Sequence, residues 1–201
     1  MRGRRVVVTG IGVVSPVGSS RESAWAAVRE GRSGIDTIRA FDVSDYDVRI
    51  AGEVKDFDPL RYFSKRELNR LDRFVQFGVV AADQALEQSG LDPDAEDSSR
   101  IGVYIGTGIG GLHEIEAQHT RLLKSGPRRT SPVMIPKLMT NAAAGQVAMR
   151  HGFHGPSMSL SSACASASHA IGEAMRCIRY GMADVMVCGG AEAAITPMGL
   201  S

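Results

Sequence analysis

Residues 155–172 read GPSMSLSSACASASHAIG, and this stretch decides which fold the chain can adopt. A short run of alternating apolar residues leads into a cluster of small residues with Cys164 in its middle. From Ile171 onward, apolar residues recur at the i, i+3, i+4, i+7 spacing of one helix face, and Gly181 follows where a helix-terminating glycine belongs. The stretch therefore predicts a strand, a tight turn and a buried helix that begins at Cys164 and runs to about Arg179.

The predicted position of Cys164, in the first turn of a helix that directly follows a strand, has chemical consequences. The first N–H groups of a helix lack internal partners, and the helix dipole places partial positive charge there. Both effects stabilise a thiolate, and the same N–H groups can hold the oxyanion that forms when sulfur attacks a carbonyl. The arrangement resembles a nucleophile elbow. A buried structural cysteine is the alternative, and the local sequence does not decide between the two.

The composition is that of an ordinary globular protein. With 201 residues, 43% hydrophobic and 22% charged, the chain suits one domain or at most two small ones. A net charge of +1 gives no strong field toward nucleic acid or a membrane surface. The three cysteines lack paired spacing, which disfavours a disulfide framework or a zinc site and indicates a reducing cytoplasm. We expect no metal ion and no cofactor.

Apolar patterning alternates between strand and helix along the chain. Buried strands are predicted at 6–14, 101–105 and 184–188, with a further strand at 49–54. Helices are predicted from Ser19 or Ser20 to about Glu30, and over 64–90, 112–123 and 136–150. Because strands and helices alternate, the sequence predicts an α/β layered fold with a mostly parallel sheet. The first apolar run is too short and too interrupted by glycine for a signal peptide, and no stretch approaches the length of a membrane span.

The glycine-rich segment at 106–111, GTGIGG, contains a GxGxxG pattern directly after a strand. A dinucleotide site would need this pattern in the first strand–helix unit and an acidic residue about 20 positions later. Here the segment comes late and is followed at that distance by GPRR, so we interpret it as a loop that closely approaches a ligand or a neighbouring loop. The five histidines form no metal-ligand set, and His169 is expected to point away from Cys164, which leaves the cysteine without a base.

Two groups of basic residues stand out on segments that we expect to be exposed. They are Lys65, Arg66, Arg70 and Arg73 in one group, and Arg128 and Arg129 in the other. Groups of this kind are most often solvated faces of the protein. The functional alternative is a landing surface for an acidic protein or a phosphate-bearing ligand.

Six segments occur in an order and at separations that match one family. They are 6–12 (VVVTGIG), 15–18 (SPVG), 106–111 (GTGIGG), 155–156 (GP), 161–166 (SSACAS) and 189–192 (GGAE). Together they resemble the β-ketoacyl-acyl carrier protein synthases, the condensing enzymes of type II fatty acid elongation. The resemblance implies a homodimer with a thiolase-like αβαβα sandwich, of which this chain is the N-terminal half. It further implies an inserted region at about 32–63 and a cap or dimer region at about 112–150.

The resemblance also implies a reaction and its residues. The nucleophile, here Cys164, takes an acyl chain from acyl carrier protein as a thioester, with its backbone N–H as one oxyanion donor. Malonyl-acyl carrier protein then loses carbon dioxide, and its carbanion attacks the acyl group. The matching pocket positions are Gly108, Ala163 and the gate residue Ile109, with Met134 and Ile135 toward the partner subunit's acyl channel. The matching carrier-docking positions are Lys65, Arg66, Arg70, Arg128 and Arg129, while Asn69 departs from the basic residue common there.

Length is the main departure from the family, whose members are about twice as long. The resemblance places two catalytic histidines, a lysine and a glycine-rich phenylalanine loop in a C-terminal half that is absent here. We therefore expect a chain that supplies the nucleophile and is inactive alone. The alternatives are a type II polyketide ketosynthase or a non-catalytic fragment for carrier docking and dimerisation; a thiol hydrolase lacks a placed base. Neither the pathway nor the acyl chain length follows from the sequence.

Overall fold

The structure, a computed structural model, describes residues 4–201 of the chain. The helices are α1 (Arg21–Arg29), α2 (Lys65–Leu68), α3 (Arg73–Ser89), α4 (Leu112–Ser125), α5 (Met134–Leu138), α6 (Ala142–His151), α7 (Ser166–Arg179) and α8 (Pro197–Leu200). The strands are β1 (Ile35–Thr37), β2 (Ile50–Gly52), β3 (Ile101–Gly106), β4 (Ser157–Met158) and β5 (Val185–Gly190). Strands and helices alternate as the sequence predicts.

The main sheet has the order β4-β3-β5, and all of its pairings are parallel. β3 lies in the centre and pairs with β5 from Ile101–Val185 to Gly106–Gly190. Every residue of β3 is buried, which is why this strand reads as a continuous apolar run. The predicted mostly parallel sheet is thus confirmed. The similar apolar run of β5 predicts a central strand, but within residues 4–201 β5 is an edge strand and only partly covered.

Helices cover both faces of this sheet. On one face α3 and α6 pack against β3 in the larger hydrophobic cluster, with Phe74, Val79 and Val147 almost fully buried. Small residues bring these two helices together, since a Cβ added at Gly78 would lie 3.3 Å from the Ala143 Cβ. On the other face α7 buries a smaller cluster against β3. Each fully buried Val or Phe contributes about 1.5–3 kcal/mol, so these two clusters hold the layers in place.

The strand predicted at 6–14 is wrong. The segment is extended, but no strand of residues 4–201 pairs with it. It lies on α3 instead, where a Cβ added at Gly10 or Gly12 would come within 1.9 or 1.8 Å of a helix carbonyl oxygen. The N–H groups of Ile11 and Val13 donate to glutamine side chains of α3, at 2.7 and 3.0 Å. Side-chain acceptors thus replace the strand ladder that the apolar pattern predicts.

The predicted helix at α1 is confirmed, whereas two longer predicted helices are each interrupted and form two helices. Ser20 caps α1 in a capping box with Ser23, and the chain leaves the helix through Gly31 at φ 66°. The helix predicted over 64–90 is two helices, because Asp72 caps a new start at α3 and accepts from the Phe74 N–H at 3.4 Å. The helix predicted over 136–150 likewise divides into α5 and α6.

The strand predicted at 49–54 is present as the shorter β2, which pairs antiparallel with β1. No helix within residues 4–201 is both long enough and apolar enough to cross a bilayer.

Candidate active site

The candidate site lies where the C-terminal ends of β3 and β5 meet the N-terminus of α7. Two glycines make this approach possible. A Cβ added at Gly106 would lie 2.4 Å from the carbonyl oxygen of Ser166, and one added at Gly190 would lie 2.6 Å from the Ala167 Cβ. Side chains at either position would push α7 away from the sheet. The C-terminal edge of a parallel sheet is also where α/β proteins usually bind ligands.

The turn before α7 holds Cys164. The prediction that the helix begins at Cys164 is wrong by two residues, because α7 begins at Ser166 with Ala165 as its N-cap. The Ser166 hydroxyl explains the later start. It accepts from the Ser162 N–H at 2.9 Å and donates to the Ala163 carbonyl at 2.7 Å, which closes the turn before the helix can form.

The backbone directly before Cys164 is left-handed. Ala163 has φ 50° and is the only non-glycine residue of 4–201 with a positive φ. Such a conformation costs on the order of 1–3 kcal/mol and persists only where the surrounding structure imposes it. The turn therefore resembles the strained turn that presents a nucleophile in other α/β enzymes.

Cys164 is exposed, whereas Cys177 of α7 is fully buried. The interpretation of Cys164 as a structural core cysteine therefore has no support in its environment. The Cys164 backbone N–H donates to no acceptor within residues 4–201, so it is available to an oxyanion. No side chain caps the N-terminus of α7, which begins two residues after Cys164 and carries partial positive charge.

The glycine-rich loop lies beside this turn, as the sequence predicts for a loop that approaches its neighbour closely. A Cβ added at Gly108 would be 3.6 Å from the Ala163 Cα, and the Ser161 hydroxyl donates to the Gly108 carbonyl at 3.0 Å. The next residue, Ile109, leaves 49% of its surface exposed. The structure thus brings Gly108, Ile109 and Ala163 together next to Cys164.

Glu192 is a residue of this site to which the sequence analysis assigned no role. One of its carboxylate oxygens, Oε2, accepts from the Gly108 N–H at 2.8 Å, the Ile109 N–H at 3.0 Å and the Thr107 hydroxyl at 3.1 Å. The signal that could have found it is the GGAE segment at 189–192, since parallel strands that end together place the residue after β5 beside the loop after β3.

His169 bonds to a serine rather than to the cysteine. Its Nδ1 lies 2.6 Å from the Ser162 hydroxyl oxygen, and no hydrogen bond joins it to Cys164 in the described part of the chain. The expectation that His169 does not serve as the base of Cys164 is consistent with this geometry. His169 also lines an open cavity of about 460 Å³ along α7, which Cys164 does not reach.

The two other predicted pocket residues follow one another in α5 but differ in their surroundings. Met134 lines an apolar cavity of about 310 Å³ together with Ile115 and Leu122 of α4 and Met198 of α8. Ile135 is 58% exposed and does not line it. Cys164 is absent from the walls of this cavity, so the structure does not join these two residues to the nucleophile within residues 4–201.

Of the basic residues singled out in the sequence, five are exposed, whereas the expectation for Arg73 is wrong: it is only partly exposed, because its guanidinium group packs 4.8 Å from the ring centroids of Phe57 and Phe77. Lys65 and Arg66 lie in α2, Arg70 follows it, and Arg128 and Arg129 lie in a short 3₁₀ turn after α4. None of the five forms a salt bridge with a carboxylate of residues 4–201, so their charges are free to meet another molecule. The same described residues contain no group of three or more histidine, cysteine, aspartate or glutamate side chains that could hold a metal ion.

Comparison with known proteins yields one family. The model of "Beta-ketoacyl synthase, N-terminal domain" matches residues 3–201. The chain is 48% identical over 201 residues to 3-oxoacyl-[acyl-carrier-protein] synthase 2 of Vibrio harveyi, and it covers 48% of that protein. It is 47% identical over 195 residues to the synthase of the same name from Synechocystis, of which it covers 47%. The chain therefore spans about half the length of the curated relatives it matches.

Solved structures agree with the sequence matches. The ishigamide ketosynthase/chain length factor superposes on 98% of the chain with a TM-score of 0.90 at 31% identity, and 49% of its own chain is covered. A type II polyketide ketosynthase solved in complex with its acyl-carrier protein gives a TM-score of 0.83 at 29% identity over 96% of the chain and 52% of its own. These likenesses confirm the thiolase-like fold that the sequence resemblance implies.

Proposed function

The chain belongs to the β-ketoacyl synthase family as its N-terminal domain, and we propose that it supplies the nucleophile of a 3-oxoacyl-acyl carrier protein synthase. The observation that carries the proposal is the position of Cys164. Its thiol is exposed in a strained turn between strand and helix, beside a free N–H group and an uncapped helix N-terminus. These are the features that present a nucleophile and hold the oxyanion that its attack on a carbonyl generates.

In the proposed first step the Cys164 thiolate attacks the carbonyl carbon of an acyl chain carried on acyl carrier protein. The Cys164 N–H donates to the resulting oxyanion, the bond to the carrier's sulfur breaks, and the carrier leaves as its thiol. The acyl group stays on the cysteine as a thioester, so the first difficult exchange is separated from the carbon–carbon bond formation.

In the second step malonyl-acyl carrier protein loses carbon dioxide, and its carbanion attacks the thioester carbonyl. Cys164 leaves as the thiolate and the β-ketoacyl chain remains on the carrier. Stabilising the carbanion requires donors that no residue beside Cys164 provides within 4–201, since His169 is bonded to Ser162. We assign that task to catalytic groups of the complete protein outside this domain, so the 201 residues alone do not condense.

The remaining site residues take the roles that the family resemblance implies. Gly108, Ile109 and Ala163 border the acyl chain next to Cys164, with Ile109 as its gate. Met134 and Ile135 reach toward the acyl channel of a partner subunit in a cytoplasmic homodimer, as part of a cap and dimer region at about 112–150. The region at about 32–63 is an insertion in the layered fold. A C-terminal half then covers the exposed apolar face of α7, where Ile171 and Met175 lie open to solvent.

A type II polyketide ketosynthase is the second candidate, because one of the two superposable structures comes from a type II polyketide system. The two structures share 29–31% identity with the chain, less than the 48% and 47% shared with the two 3-oxoacyl-[acyl-carrier-protein] synthases. The two candidates share the step at Cys164 and differ in the acyl chain they extend. A non-catalytic carrier-docking fragment is the third, and it predicts no acyl adduct on Cys164.

The test is the intact mass of the complete protein that carries this chain, measured after incubation with acyl-acyl carrier protein. The wild type is expected to gain the mass of one acyl group, and Cys164→Ala is expected to gain none. Cys188→Ala is the matched control, because Cys188 is also a free and exposed cysteine, and it should acylate like the wild type. An adduct that persists in Cys164→Ala, or its absence from the wild type, would refute the proposal.

A further inference from the structure

We propose that Glu192 is a positioning residue for acyl transfer, which fixes the backbone of residues 107–109 beside Cys164 and thereby sets the fit of a long acyl chain. This inference rests on the proposed function of Cys164. It concerns a residue that touches neither the sulfur nor, on this geometry, the acyl carbonyl. Glu192 acts through the loop that carries Gly108 and Ile109.

The first argument is the concentration of hydrogen bonds on one atom. Glu192 Oε2 accepts from two consecutive backbone N–H groups and from one hydroxyl, at 2.8, 3.0 and 3.1 Å. Hydrogen bonds to an ionised acceptor are stronger than those between neutral groups. Glu192 forms no salt bridge with a basic side chain of residues 4–201, so an ion pair does not account for its position.

The second argument is that the loop is held from both sides. Opposite Glu192, the Ser161 hydroxyl donates to the Gly108 carbonyl, and Thr107 Oγ1 accepts from the Gly110 N–H at 3.2 Å. Without Glu192, the Gly108 and Ile109 N–H groups would have no acceptor within residues 4–201. Because glycines on both sides of Ile109 leave the backbone conformationally free, loss of this acceptor would let the loop move.

The third argument concerns which acyl groups are transferred more slowly when the loop moves. The loop borders Ala163 at the turn of the nucleophile, with 3.6 Å between the Ala163 Cα and a Cβ built on Gly108. The Ile109 side chain projects from the same loop and is exposed. With Ile109 as the proposed gate, a long acyl chain passes its side chain, whereas an acetyl group ends close to the sulfur. Misplacing the loop therefore weakens the transfer of long chains and spares that of short ones.

The experiment compares acylation rates of Cys164 in the complete protein with acetyl and dodecanoyl acyl carrier protein as donors. Glu192→Ala is expected to slow transfer of the dodecanoyl group about tenfold or more and transfer of the acetyl group less than about threefold. Alkylation of Cys164 by iodoacetamide is expected to keep its wild-type rate, because the thiol itself is untouched. Glu192→Gln keeps an acceptor oxygen and should restore most of the loss. Glu87→Ala removes an exposed carboxylate of α3 and should change nothing.

Equal slowing with both donors, or no slowing with either, would overturn the inference while leaving the proposed function intact. A wild-type protein that fails to acylate would instead refute the proposed function. If Glu192→Ala does not fold, Thr107→Val removes one of the three donors and leaves the carboxylate in place. The same dependence on chain length in that variant supports the positioning role, and a uniform effect overturns it.

Discussion

At the scale of single residues, the conformation of Ala163 links backbone strain to reactivity. A left-handed alanine before Cys164 is held by the hydrogen bonds of Ser166 to both sides of the turn. The loop at Gly108 also approaches its backbone closely, with 3.6 Å between the Ala163 Cα and a Cβ built on Gly108. The turn can therefore present the thiol only because small residues surround it, which explains the run of alanine and serine in 161–168.

This explanation predicts that two substitutions of Ala163 differ in their effect on the free energy of unfolding. Ala163→Val should lower the free energy of unfolding by about 1–3 kcal/mol, because a β-branched residue tolerates a positive φ poorly. Ala163→Gly should change it by less than about 1 kcal/mol, because relief of strain is offset by the extra freedom of the unfolded chain. Urea unfolding of the complete protein measures both. Ala117→Val, at an exposed position of α4, is the control. If both valine variants lose the same free energy of unfolding, the left-handed conformation of Ala163 is excluded.

Sequence alone predicts part of this site, and the limits have physical causes. The strand, the turn and the cysteine before a helix follow from local residue types. The helix start was misplaced by two residues because a serine side chain, Ser166, competes for the turn. Glu192 received no role because its three partners lie more than 80 residues earlier in the chain, where only the pairing of β3 with β5 brings them close.

At the scale of elements, the residues directly before β3 and β5, Arg100 and Asp184, form a charged pair. Arg100 donates to Asp184 from Nε at 2.8 Å and from Nη2 at 3.1 Å, and it also reaches the Gly181 and Met182 carbonyls. Arg4 contacts the same carboxylate. Hydrogen bonds from Arg100 and then Arg4 lower the pKa of Asp184 from 3.8 to about 2. The pair fixes the register from which both strands run toward the candidate site.

The lowered pKa of Asp184 predicts how the stability contribution of this pair depends on pH. A depressed pKa in the folded state favours folding at pH values above the unfolded value, and the contribution is lost as pH falls from 3.8 toward 2. Asp184→Asn should therefore reduce the urea midpoint most at pH 7 and 5, and progressively less at pH 4 and 3. Asp45→Asn, at an exposed carboxylate without a described partner, should show no such trend. A constant difference across the range would contradict the pairing.

Whether an element was predictable depended on where its stabilising partners lie. β3 and α3 could be predicted because each buries a regular run of apolar residues in the same hydrophobic cluster. The extended segment at 6–14 has the same apolar pattern, but pattern alone does not reveal whether a neighbouring strand is present. The divisions within 64–90 and 136–150 depend on caps and turns, which interrupt a helix without interrupting its hydrophobic periodicity.

At the scale of the whole molecule, the charge distribution matters more than the net charge of +1. The five basic residues expected to dock the carrier are exposed and form no salt bridge within residues 4–201, although 22 acidic residues nearly balance the 23 lysines and arginines of the whole chain. Individual exposed charges contribute about 0–1 kcal/mol to binding. Several charges of the same sign that face one approaching partner together raise the association rate, and this rate falls when salt screens the charges.

Charge reversal tests this proposal in the complete protein. Arg66→Glu combined with Arg128→Glu should slow acylation of Cys164 by acyl-acyl carrier protein about tenfold or more at low salt, because each replaced residue would repel an acidic partner. Acylation by the small donor acyl-pantetheine should stay within about twofold of wild type, because that donor has no acidic surface. Raising the salt concentration should narrow the difference between variant and wild type with the carrier-bound donor, as screening predicts.

The control for this experiment keeps the global charge change and moves its location. Arg29→Glu combined with Arg179→Glu reverses two exposed arginines at the ends of α1 and α7, so the net charge falls by the same amount. Wild-type rates in this control, together with slow transfer in the first variant, would show that the position of the basic residues determines carrier docking. Equal slowing in both variants would mean that only the overall field of the protein acts on the carrier, and the docking surface would have to be sought elsewhere.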